Sequence, residues 1–92
     1  MKDSDIKLKY IEVPMIVLKD KEVSSTAKLL MGLIFTLSMQ EGYCYASNKY
    51  LSILMKVSKR TVTAGITSLR QKNYIKVVNE PSIRKIYLAN IF

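Results

Sequence analysis

The run from Met55 to Lys72, MKVSKRTVTAGITSLRQK, interleaves cations with small and hydroxylated residues and holds no carboxylate. Lys59, Arg60 and Arg70 can donate to phosphate oxygens, and a guanidinium near a helix start, as at Arg60, can bond guanine O6 and N7 together. Thr63, Ala64 and Thr67 are small enough for close approach, and a threonine can touch a thymine methyl or a phosphate. The chemistry is non-covalent contact with a polyanion. For these side chains to act together they must share a helix. Ser58 is a good N-cap for one, and Thr61, Val62, Ile66 and Leu69 give it an apolar stripe. Thr61 then stands between core and interface. Lys49, Lys76, Arg84 and Lys85 are further candidates for phosphate contact, the alternative for each being a solvated basic face.

Charge along the chain points the same way. The formal net charge is +8, but from Met1 to Glu41 six lysines face six carboxylates. From Gly42 onward there are nine Lys and Arg against Glu80 alone. A half-molecule so one-sided repels itself, which makes sense if its partner is anionic. Four tyrosines near cations, Tyr43, Tyr45, Tyr50 and Tyr74, offer a different use as stacking platforms for single-stranded bases, against ordinary packing.

Other chemistries are poorly supplied. There is no histidine, so histidine triads and histidine-ligated metals are excluded, and the single Cys44 makes no zinc set. Between Tyr43 and Tyr45, Cys44 reads as a small buried hydrophobe. No GxxxxGK[ST] loop is present. Asp3, Asp5, Asp20 and Glu22 fall in polar lead or turn segments and read as solvated charge. A protein without catalytic activity, cofactor or metal is expected. The opening MKDSDIKLKY has no apolar signal region, and Leu29 to Leu37 is shorter than the roughly 20 residues of a membrane span. A cytoplasmic protein without membrane contact follows as the expectation.

The elements that must position these residues can be read in order. Residues 1–9 are a polar lead and 10–92 one domain, the size and 49% hydrophobic content being right for a modest core. Tyr10 to Pro14, YIEVP, alternates as a short strand would. Ser24, Ser25 and Thr26 can cap a helix reaching about Met39. That helix is apolar nearly all round, through Leu29, Leu30, Met31, Leu33, Ile34, Phe35 and Leu37. One face should meet the later helices, and the rest either lies under the amino-terminal strand or joins a second copy through the Leu29, Leu33 and Phe35 region. Each such side chain is worth roughly 1.5 to 3 kcal/mol when buried. Tyr43 to Ala46 can add a very short strand. Ser47 caps a second helix, Asn48 to Met55, with Leu51 and Leu54 inward. Lys56 to Ser58 is a turn of helix-turn-helix length before the helix of residues 58–72. Asn73 suits a left-handed position, and strands over 74–78 and 84–88 make a two-stranded wing about Glu80-Pro81-Ser82.

This order looks like the α+β winged helix-turn-helix fold, with three helices, a small antiparallel sheet and a wing. More narrowly, YIEVP, the helix with TAKLL, the segment from Gly42 through Cys44, Ala46, Ser47 and Asn48 to Leu51, VSKRTV with Ile66 and Leu69, then NYI and KIYL, resembles the amino-terminal domains of phage replisome-organiser and plasmid replication-initiator proteins. The resemblance runs from Tyr10 to Leu88. It implies a DNA-binding protein of a mobile element, serving replication initiation or transcription control, with a replication protein as a further partner, while the apolar first helix gives the expectation of a dimer. It implies that Ser58, Lys59, Arg60, Thr61, Thr63, Ala64 and Thr67 face or border DNA. Two positions depart from the pattern, Lys56 and Asn73, each standing where glycine is frequent. Larger initiators continue into a second domain, so the chain is expected either to be a fragment or to work through one domain. Alternative uses of the same fold are protein interaction and single-stranded DNA binding.

Overall fold

The structure is a computed structural model and describes residues 8–92. The expected polar lead therefore lies mostly outside the described residues. Four helices, α1 (Met15–Leu18), α2 (Ser25–Ser38), α3 (Asn48–Met55) and α4 (Lys59–Gln71), precede a hairpin of β1 (Ile75–Asn79) and β2 (Arg84–Leu88).

Each of the three longer helices starts at a serine. Ser24, Ser47 and Ser58 accept from the backbone N–H of Ala27, Tyr50 and Thr61, each at 3.1 Å. Such a cap is worth about 1 kcal/mol. The helices enclose one core in which Leu30, Met31 and Ile34 of α2 meet Leu51 of α3, Val62 and Leu69 of α4, and Ile86 of β2. α2 packs on α4, and α3 packs on α4.

Both departures from glycine are in the left-handed conformation, Lys56 at φ 58° and Asn73 at φ 62°. Lys56 closes α3, with its own N–H on the carbonyl of Ile53 at 3.3 Å and that of Val57 on Ser52 at 3.1 Å. Asn73 follows α4 in the same way, its N–H on Arg70 at 2.9 Å and that of Tyr74 on Leu69 at 3.0 Å. These are Schellman turns, which satisfy carbonyls that the helix end leaves open. Because Tyr74 completes the second turn, the strand begins one residue later than expected.

The hairpin is antiparallel, with Ile75 opposite Leu88, Val77 opposite Ile86 and Asn79 opposite Arg84. The short strand expected at Tyr43 to Ala46 is reduced to one bridge, in which Cys44 exchanges both backbone bonds with Ile86 at 2.8 and 2.9 Å. Cys44 is buried, and that burial pushes its thiol pKa up.

The amino-terminal segment corrects the strand expected at Tyr10 to Pro14. It is not in a β-sheet; it lies along α2, where Glu12 N–H donates to Thr36 Oγ1 at 3.0 Å. A helix offers a neighbouring chain side-chain acceptors rather than a ladder of free carbonyls, so no sheet forms. Gly32 permits this approach, since a Cβ there would stand 2.6 Å from Val13 and 2.9 Å from Ile11 side-chain carbons. After Pro14 the apolar patch Met15–Leu18 coils into a single helical turn with only Val17 buried.

The all-round apolar α2 is thus covered within the chain except at Leu29. Leu33 is buried, and Phe35 meets Phe92 edge-on at 6.1 Å. Of the three residues expected at a second copy, Leu29 alone is exposed. The assembly is a winged helix-turn-helix, with α3, the turn and α4 as the motif and β1–β2 as the wing. No helix among the described residues is long and apolar enough to cross a membrane.

Candidate nucleic-acid interface

The buried residues of α4 are Val62, Gly65, Ile66 and Leu69. At about 100° per residue, Arg60, Ala64, Thr67 and Gln71 fall on the opposite line. All four are exposed, as are Lys59, Thr63 and Arg70 to one side. Gln71 extends this line beyond the contact residues expected from the sequence. Its signal is the spacing from Arg60 through Ala64 and Thr67, and it borders the same depression as Thr67 and Arg70.

Ser58 and Thr61 serve the helix itself. Ser58 Oγ accepts from Thr61 N–H and lies 2.9 Å from Thr61 Oγ1, so the two hydroxyls share one hydrogen bond at the cap and one of their two protons remains free for a further acceptor. Thr63 Oγ1 donates to the carbonyl of Lys59 at 3.0 Å and accepts from Asn48 Nδ2 at 3.2 Å.

The cations divide into two groups. Lys49, Lys59, Arg60, Arg70 and Lys76 are exposed and form no ion pair with the described residues. Arg84 and Lys85, expected at phosphates, are engaged within the chain. Arg84 turns inward from β2 and donates to Asn48 Oδ1 and to the carbonyl of Ala46, both at 2.6 Å. Burial lowers its pKa without threatening its charge. The register explains the orientation: Arg84 lies on the same sheet face as Ile86 and Leu88, the face turned to the core. Lys85 lies on the other face, 3.5 Å from Glu80 and 4.8 Å from the centre of the Tyr43 ring.

Of the tyrosines, Tyr43 and Tyr45 gather with Tyr87 on that outer face, at centroid distances of 6.2 and 5.6 Å from Tyr43. Tyr74 is elsewhere and is buried, so it is no stacking platform. Its hydroxyl donates to Asp20 Oδ2 at 2.7 Å.

Asp20 also meets Lys72 Nζ at 3.2 Å, while Glu22 meets the same ammonium at 2.7 Å. Asp20 and Glu22 are therefore partnered, not merely solvated as the sequence suggested. The Tyr74 hydroxyl, the Glu22 N–H and Lys72 hold the Asp20 carboxyl below its usual range. Conversely, Asp20 raises the Tyr74 phenol, and Glu22 and Asp20 raise the Lys72 ammonium. This cluster ties the turn before α2 to the end of α4 and neutralises Lys72. Among the candidate contact residues, positive charge without an ion pair therefore lies on α3, on the outer line and flank of α4, and on β1.

A family model described as a helix-turn-helix domain matches residues 21–75. That range includes α2, α3, the turn and all of α4. Neither the curated proteins nor the solved structures give a significant match.

Proposed function

The chain belongs to this helix-turn-helix family, and we propose that it binds duplex DNA with α4 in the major groove and the wing beside it. One observation carries the reading: α4 presents to solvent a line of Arg60, Ala64, Thr67 and Gln71, flanked by exposed cations and free of any carboxylate. Major-groove readers need side chains that are short or that donate in pairs, and this line has both. Lys49, Lys59, Arg70 and Lys76 supply phosphate contacts that fix the register without reading sequence.

In the same reading the protein belongs to a mobile element and acts at a replication origin or at a promoter, through contact alone and without a catalytic step. The sequence resemblance to replisome-organiser and replication-initiator domains supports this role. Two copies on a repeated or palindromic site would meet through the exposed apolar residues of α1 and α2, Met15, Ile16, Leu18 and Leu29. A replication protein is a further partner on this view.

A second reading has one observation in its favour. Tyr43, Tyr45 and Tyr87 share the outer sheet face with Lys85, a combination suited to stacking single-stranded bases. Binding of matched double- and single-stranded oligonucleotides at two salt concentrations separates the two. Preference for duplex supports the first reading, and preference for single strands favours the second.

A further inference from the structure

The hydrogen bonds that join the wing to α4 have their direction set from one end. A guanidinium can only donate. Arg84 gives Nη1–H to Asn48 Oδ1 and Nη2–H to the carbonyl of Ala46, both at 2.6 Å. With its oxygen taken, Asn48 must turn its amide nitrogen to Thr63 Oγ1, at 3.2 Å. Thr63 therefore accepts there, and its single proton goes to the carbonyl of Lys59 at 3.0 Å. No proton remains for a phosphate oxygen, for guanine O6 or N7, or for thymine O4, all of which are acceptors. Thr63 is nevertheless exposed on the flank of the helix line that begins at Arg60. What it has left to offer is its methyl and one acceptor lone pair, and no donor.

We infer that Arg84 is a positioning residue that, through Asn48, holds Thr63 so that position 63 recognises a thymine by its methyl group and not a phosphate by its hydroxyl. The inference rests on the duplex-binding reading above. It assigns the wing a part in base recognition that does not require Arg84 to touch DNA.

The test uses a duplex selected from a random pool by the unaltered protein, with each thymidine replaced in turn by deoxyuridine, which removes only the C5 methyl. Recovery of a bound duplex tests the DNA reading itself; failure to recover one would overturn that reading and this inference with it. Given a bound duplex, replacement at one position should weaken binding by roughly four-fold, the worth of one buried methyl-sized group. Thr63→Ser should abolish that discrimination, and Thr63→Val, which retains a methyl, should keep it. Arg84→Gln, which can accept as well as donate, should lose the discrimination, whereas donor-only Arg84→Lys should retain it. Both Arg84 variants should keep the salt dependence of the unaltered protein, because loss of a phosphate contact would reduce the slope by about 1. Discrimination that survives in Thr63→Ser, or a complex indifferent to every replacement, would overturn the inference while leaving duplex binding intact. So would a complex that Thr63→Val abolishes, since the remaining lone pair of the hydroxyl would then be accepting from a base amino group.

Discussion

Arg60 and Arg84 are chemically identical, and their surroundings give them opposite work. Arg60 is exposed with no ion pair to the described residues, while Arg84 has two donors committed at 2.6 Å inside the fold. Arg60→Ala is expected to leave the melting temperature unchanged and to weaken binding of a selected duplex by about 1–3 kcal/mol, the range for a bidentate base contact. Lys76→Ala should weaken all duplexes alike and reduce the salt slope by about 1. Arg84→Ala should instead show in thermal or urea unfolding. It leaves Asn48 Oδ1 and the Ala46 carbonyl without their donor, at a cost of about 1–3 kcal/mol where such groups are buried. Ser24 is one of three candidate caps in the sequence and Lys56 only a departure from glycine, but the caps at Ser47 and Ser58 and the left-handed Asn73 were legible because their partners lie within five residues. The role of Arg84 was not, because its partner Asn48 lies 36 residues away and only the strand register turns it inward.

Among the elements, the turn between α3 and α4 stores a small local cost. Lys56 holds φ 58°, a conformation that costs a residue with a Cβ about 1–2 kcal/mol. Lys56→Gly should therefore raise folding stability by up to about 1 kcal/mol, the full relief being offset by the entropy glycine loses on folding. Unfolding in urea would show it as a higher midpoint at unchanged slope. At the far end of α4 the contacts among Asp20, Tyr74 and Lys72 make stability depend on pH. Asp20 has a carboxyl pKa depressed from 3.8, so its contribution is present above about pH 4 and fades as pH falls through the folded value. Tyr74 and Lys72 have values raised from 10.0 and 10.5, so theirs is present below those values and is lost as pH rises through the folded ones. Asp20→Asn should lower the melting temperature at pH 7 and flatten its fall at both ends. An unchanged pH profile in that variant would show that the cluster does not act as described. The alternation of Tyr10 to Pro14 resembled a strand because a pattern of apolar residues shows which side chains are buried, not what buries them. Here the neighbour is the surface of α2 at Gly32 and Thr36.

For the whole molecule, the charge split along the sequence becomes a split in space. The acidic Asp20 and Glu22 neutralise Lys72, while the five exposed cations of the candidate interface, Lys49, Lys59, Arg60, Arg70 and Lys76, have no ion pair to the described residues. If those five meet phosphates, log affinity should fall with log salt at a slope of about −4 to −5. The measurement closest to the central claim is fluorescence anisotropy of labelled duplex and single-stranded oligonucleotides with the unaltered protein and with Lys59→Ala/Arg60→Ala. Salt-sensitive preference for duplex is expected in the first and its loss in the second, at equal melting temperature. Duplex binding that survives the double substitution would contradict the placement of DNA on α4.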